Sequence, residues 1–337
     1  MAMQKVVENV NQEVSDAGLL CPTPLVSVHM LAYNHADYLA EAIEGVVCQV
    51  CDFEFELLIG EDASSDKTLD IALAYQRRYP QCIRVIYSAK NVGIRDNSRR
   101  LLAASRGEFV AYCEGDDYWC SESKLARQVS LIAKRPSVGM VHGDWIVLRY
   151  KDGAWETDRK SMHRHVKPKM LSGDIFPYFF YPKILRTCTL LLRREIALEV
   201  ETCILRRAEY KFGDTIYSAY ISAKWEVEYV PDVVSVYRVS QNSVLRSGKQ
   251  ARIDFLRSAL AFDKEAKEYF KSRSDYPRSY RWELCVGLLL WSMSARDAVA
   301  VMRAFRTIKD DFTVSEFIKA GWNSLSMRLP AFYPRKR

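Results

Sequence analysis

The chain has 337 residues, 49% of them hydrophobic, and a formal net charge of +7. That length and apolar content exclude a disordered polymer and allow a full core in one large domain with a smaller one appended. The longest uninterrupted apolar run, residues 284–291, falls far short of the roughly 20 residues that cross a bilayer, so no membrane span is expected.

Residues 1–22 are polar and mixed in charge, which reads as an extension outside the fold and not as a signal peptide. Nine cysteines stand at irregular positions, so a reducing, cytoplasmic compartment is expected, with the cysteines as small buried residues. Cys48 and Cys51 form the one close pair, and no two further ligands stand at a zinc-site spacing. From Pro24 the pattern becomes regular. Residues 25–31 read as a buried strand, Ala32, Tyr33 and Asn34 as the turn that leaves it, and residues 36–47 as a helix with Leu39, Ile43 and Val46 on one face. A second strand over residues 53–60 ends in Glu61 and Asp62. Ser65 or Asp66 is a candidate cap for the helix that follows. Residues 83–87 give a third strand, Asn91, Val92 and Gly93 a turn, residues 97–104 a helix, and residues 108–113 a fourth strand. Alternating strand and helix predict a mostly parallel sheet.

The fourth strand runs into Glu114-Gly115-Asp116-Asp117-Tyr118-Trp119. Three acids in four residues repel one another unless a cation or a solvated turn compensates their charge. Parallel strands bring their C-terminal ends to one edge, where ligands bind in open α/β sheets, so this cluster and Glu61-Asp62 are expected to face one crevice. No two glycines stand two apart, so G-x-G-x-x-G cannot occur, and G-x-x-x-x-G-K is also missing. A pyrophosphate would then be held by a divalent cation bridging carboxylates and phosphates.

Taken in order, residues 24–28, Tyr33-Asn34, Glu61-Asp62-Ala63-Ser64-Ser65-Asp66-Lys67-Thr68, Asn91-Val92-Gly93, Arg106-Gly107-Glu108 and Glu114-Gly115-Asp116-Asp117 resemble the GT-A-fold family 2 glycosyltransferases over about residues 24–245. The resemblance implies an α/β fold of the nucleotide-diphospho-sugar transferase type: a mostly parallel central sheet in residues 23–245, with a nucleotide-binding half (23–135) and an acceptor-side half (136–245), then a helical C-terminal region (246–337). It implies that Tyr33 and Asp62 contact the nucleotide base and that Glu114 and Asp116 form the acid-x-acid motif near ribose and metal. Asp117 would be an adjacent acid of the donor site, and Asp116 would hold Mg²⁺ or Mn²⁺.

Further along, residues 139–142 and 145–150 read as two β-rich runs and residues 155–185 as an irregular aromatic segment favouring core. His163 and His165 lack a third metal ligand nearby. Residues 187–193 read as a strand, and residues 226–230 and 233–239 as two short ones. Asp214 opens a helical pattern after Gly213, where an N-cap is the structural alternative. The resemblance makes it the general base beside the acceptor hydroxyl. Relatives frequently carry His after Tyr-Arg-x, where this chain has Ser240, a poor metal ligand. Residues 250 onward are helical and carry no catalytic pattern. The basic tail with Arg328, Arg335, Lys336 and Arg337 suits an anionic membrane surface, and no nucleic-acid partner is expected.

The expectation is therefore a metal-dependent, inverting glycosyltransferase moving a sugar from a nucleotide-diphospho-sugar, a UDP-sugar in the first instance, to a carbohydrate or lipid-linked hydroxyl acceptor in surface polysaccharide or glycolipid synthesis. A sugar-1-phosphate nucleotidyltransferase and an inactive nucleotide-sugar-binding module are the alternatives.

Overall fold

A computed structural model describes residues 11–311 except 158, 182–183, 208–209, 211, 240–247 and 278. The chain divides into two compact units, one of residues 1–175, 182–203 and 213–239, the other of residues 176–181, 204–212 and 240–337.

The first unit is built on a mixed sheet. Strands β1 (Asn11–Val14), β2 (Val26–Ala32), β3 (Phe55–Glu61), β4 (Ile83–Ser88), β5 (Phe109–Tyr112), β6 (Tyr118–Trp119), β7 (Val138–Lys151), β9 (Leu191–Arg193) and β10 (Glu226–Val239) lie in the order β1-β4-β3-β2-β5-β9-β7-β10-β6, and β8 (Ala154–Thr157) pairs with β7. The block β4-β3-β2-β5 is parallel throughout. Its strands are buried on both faces, which is why they read as continuous apolar runs. Val28, Met30, Leu57, Ile59 and Ala111 pack with α1 (Leu39–Val47) and α4 (Lys124–Ile132). Leu58 and Ile86 meet Leu101 of α3 (Ile94–Ala104). Helix α2 (Thr68–Arg78) connects β3 to β4. Helices α5 (Arg194–Thr202) and α6 (Asp214–Lys224) complete the unit.

Several local expectations change. The segment 1–22, expected outside the fold, supplies β1, which pairs antiparallel with β4. Glu13 accepts from Arg84 Nε at 2.8 Å and Nη2 at 3.0 Å, so a bidentate ion pair pins this edge strand. The two β-rich runs of residues 139–150 are one strand, β7, and the two short strands of residues 226–239 are one strand, β10, whose register shifts between Val230 and Val233 absorb Pro231. Thr187–Thr189 is a 3₁₀ turn, so the strand there is only Leu191–Arg193.

The second unit contains α7 (Lys249–Tyr269), α8 (Ser279–Ala295) and α9 (Ala298–Asp311). Ile253, Leu256, Leu284, Leu288 and Ala304 form its core. Phe176 and Phe180, from the irregular aromatic segment, stack edge-on against Phe270 and Phe262 at 5.4 and 5.8 Å, so these rings are core. Tyr181 stays exposed.

Candidate functional site

The three inner strands of the parallel block end side by side, with Ala32 opposite Glu61 and His29 opposite Tyr112. Tyr33 leaves β2 with 48% of its surface exposed, which rules out core packing. Asn34 and Ala63 have φ of 54° and 57°, a left-handed backbone that Asn tolerates better than Ala. The two loops are laced together. Asn34 donates its N–H to Ser64 Oγ at 2.9 Å and accepts from the Ser65 N–H at 2.8 Å, while Asp66 accepts from the N–H groups of Ala36 and Thr68. Asp66, one residue before the N-cap position Lys67, thus ties the start of α2 to the β2 loop. Asp62 is buried, and its two carboxylate oxygens accept the N–H groups of Val92 and Gly93 at 2.8 and 2.9 Å. Gly93 has φ of 84°, which lets both amides turn toward one side chain.

The acid turn is held from two sides. Gly115 donates its N–H to Leu31 C=O at 2.9 Å, which brings the turn against the end of β2. From β10, Arg238 donates its backbone N–H to Asp117 Oδ1 at 2.9 Å and its Nη1 to Asp116 C=O at 3.1 Å, and it also pairs with Glu41. Its guanidinium lies 4.6 Å from the Tyr118 ring centroid.

The three acids differ in environment. Asp117 is buried, and burial followed by the charges of Asp116 and Glu114 pushes its carboxyl well above the usual range, against the hydrogen bonds from the Arg238 N–H and the Cys188 thiol. Glu114 presents one buried carboxylate oxygen without a hydrogen-bond partner among the described residues. Burial first, then Asp116 and Asp214, raise its carboxyl to about 7, with Arg186 acting the other way. Asp116 is only partly buried. Beneath them Lys124 is fully buried, donates to Gln128 Oε1 at 2.7 Å and sits 3.9 Å from the Trp119 ring centroid; burial lowers its ammonium to about 7.

Asp214 lies exposed as the first residue of α6, the N-cap position being Gly213. The N-cap alternative for Asp214 is therefore not realised, and its Oδ1 instead accepts the Thr215 N–H at 2.7 Å. Its charge reaches Glu114. Ser240 lies outside the described residues. His163 is a structural residue whose N–H meets Asp144 and whose ring meets Ile184 C=O at 3.0 Å, while His165 is exposed.

Among the described residues, ligand atoms of Glu114, Asp117 and Cys188 lie within 4.8 Å of one another. Asp116 is not in that group. The unpartnered oxygen of Glu114 and the partly open carboxylate of Asp116 fit a hard divalent cation. The Cys188 thiol does not, because burial pushes it far above its ordinary range, and it suits softer metals. Arg186, Cys188, Lys124 and Arg238 escape a reading of the sequence for acids, because they come from elsewhere in the chain and carry no local motif.

Residues 27–209, more than half of the chain, match the sequence model of Glycosyl transferase family 2. The protein Mb1547 of Mycobacterium bovis, uncharacterized, is 29% identical over 240 residues, covering 68% of this chain and 63% of that relative. The chain thus spans less than two thirds of the length of the first curated relatives it matches. Among solved structures, mannosyltransferase PcManGT from Pyrobaculum calidifontis, in complex with GDP-Man and Mn²⁺, is similar at TM-score 0.52 and 16% identity, covering 91% of this chain and 88% of that one. TarS 1-349 of S. aureus, in complex with UDP-GlcNAc, is similar at TM-score 0.52 and 15% identity, covering 90% and 91%. At these identities the likeness is one of fold.

Proposed function

The chain belongs to glycosyl transferase family 2, and from that premise we propose that it transfers a sugar from a nucleotide-diphospho-sugar to a hydroxyl acceptor, with inversion. The observation that carries the reading is the meeting of Tyr33, Asp62 and the acid turn at one sheet edge, where Asp62 N–H donates to Ala32 C=O and Gly115 N–H to Leu31 C=O. The half-exposed Tyr33 offers a ring face to the nucleotide base. Asp62 shapes the 91–93 loop and retains lone pairs for the base. Glu114 and Asp116 face ribose and cation, and the buried Asp117 acts as a positioning residue that ties the turn to β10. Mg²⁺ or Mn²⁺ held by Asp116 would supply Lewis-acid neutralisation of the departing diphosphate. Asp214 accepts the acceptor's proton while its oxygen attacks the face opposite the leaving group. One displacement inverts the anomeric centre.

The complexes of the two structural neighbours with GDP-Man and with UDP-GlcNAc support a nucleotide-sugar donor, and the Mn²⁺ of the first supports a divalent cation. A carbohydrate or lipid-linked acceptor of surface polysaccharide or glycolipid synthesis fits the family. Incubation with UDP- and GDP-sugars and Mn²⁺ tests the reading. Nucleoside diphosphate release is expected, and Asp214→Asn should slow it by about 10²- to 10⁴-fold while nucleotide affinity stays. Pyrophosphate release would instead mark a nucleotidyltransferase, and binding without turnover an inactive module.

A further inference from the structure

Resting on the donor-site reading above, we propose that Arg186 is an oxyanion contact of the crevice, its guanidinium taking phosphate oxygens of the nucleotide donor's diphosphate. Arg186 stands two residues before Cys188, whose sulfur groups with Glu114 and Asp117. Its guanidinium lies over Tyr237 at 4.3 Å and beside Trp145 at 5.6 Å from the ring centroids, so it is held by two aromatic faces. Tyr237 directly precedes Arg238, whose backbone N–H donates to Asp117 Oδ1 at 2.9 Å, so the ring under the guanidinium stands one residue from the tie to the acid turn.

What singles it out is that no hydrogen-bond acceptor meets it among the described residues. Arg238 spends its guanidinium on Asp116 C=O and Glu41, and Arg100 spends its own on Glu61 C=O and Asn97. Arg186 makes no guanidinium hydrogen bond or ion pair among the described residues, and its Nε is buried without an acceptor. Leaving a buried donor unmet is unfavourable, an arrangement that a ligand repairs. The ligand's chemistry follows from the group: a rigid five-donor fork matches phosphate oxygens bidentately, where an ammonium offers only a point charge. Charge balance points the same way. Glu114, Asp116 and Asp214 face a diphosphate whose negative charge rises as the sugar departs, and a cation on this flank of the crevice offsets that repulsion. A phosphate on the acceptor would present the same chemistry, so the two sources must be separated by experiment.

The test uses the full chain with Arg186→Gln and Arg186→Lys, titrated calorimetrically with UDP, GDP, uridine and guanosine, with Mn²⁺ and with chelator. In Arg186→Gln the diphosphate affinity should fall at least about tenfold while nucleoside affinity holds, since truncating a charged hydrogen-bond partner costs 1.5–3 kcal/mol. Arg186→Lys should recover part of the loss. If Arg186→Gln does not fold, Arg186→Lys must by itself lose several-fold. In protein saturated with UDP and Mn²⁺, inorganic phosphate binding that disappears in the variant while UDP affinity is kept would assign the same fork to an acceptor phosphate and overturn the donor assignment. Unchanged affinity for both diphosphates and for phosphate overturns the inference alone. Wild-type protein that binds neither diphosphate overturns the donor-site reading and this inference with it.

Discussion

His29 shows how one buried residue sets the protein's response to pH. It lies on β2 with its Nε2 2.6 Å from Ser105 Oγ, and that hydroxyl already donates to Leu101 C=O at 2.8 Å. The hydroxyl therefore accepts from Nε2–H, and Nδ1 carries the lone pair and meets no donor. Burial lowers the imidazole to about 3 from an ordinary 6.5. The unfolded chain takes up a proton near pH 6.5 while the folded chain refuses it until about 3, so stability is full above 6.5 and declines as pH falls through that window. His142 behaves alike. His29→Leu should flatten the decline in unfolding free energy, measured by urea denaturation, between pH 7 and 4.5, by an amount on the order of a few kcal/mol at the acid end. Parallel curves for the two proteins would remove His29 from the account. Glu114 and Lys124 carry the same lesson in the crevice: burial brings both groups near neutrality, where their protonation states respond to ligands.

At the scale of elements, the acid turn depends on a close approach that only glycine permits. A Cβ on Gly115 would lie 2.9 Å from His35 Nδ1 and 3.1 Å from Leu31 O, the carbonyl that already accepts the Gly115 N–H. Backbone cannot retreat as a flexible side chain does. Gly115→Ala should cost about 1–3 kcal/mol in chemical denaturation and weaken Mn²⁺-dependent UDP binding several-fold, because the displaced turn carries Glu114 and Asp116. A variant with lower stability and wild-type binding would show that the acids are placed independently of this packing. The other support is β10, which closes the turn through Arg238 from over a hundred residues away. Its length matters here. A break at Pro231 would have separated Arg238 from the paired stretch of β7 that fixes its register.

At the scale of the whole molecule, no helix among the described residues is long and apolar enough to cross a membrane. The basic residues Arg328, Arg335, Lys336 and Arg337 lie outside the described residues. In the second unit α9 leaves Val299, Met302 and Phe305 exposed. We propose that this tail charge meets an anionic membrane surface. Each basic residue near such a surface contributes on the order of 1 kcal/mol. Removing residues 328–337 should therefore reduce cosedimentation with phosphatidylserine vesicles at low salt, with the difference fading at high salt. Equal sedimentation of the two proteins at low salt would sink the membrane role of the tail.

The parallel block and the identity of its edge are written in the residues alone. Doubly buried strands must be apolar throughout, parallel strands must end on one side, and Asp62, Glu114 and Asp116 stand where those runs stop. Missing glycine loops likewise turned the reading from a phosphate cradle toward carboxylates and a cation. The folded chain adds that Asn11–Val14 joins the sheet, that Phe176 and Phe180 belong to the helical unit, and that Asp214 is not an N-cap. It alone brought Arg238 under the acid turn and left Arg186 over Tyr237 without a hydrogen-bond acceptor among the described residues. The physical reason is range. Periodicity and turn chemistry act within a few residues, whereas burial, charge coupling and an unmet donor arise among residues 50 to 120 positions apart, and no local pattern records them.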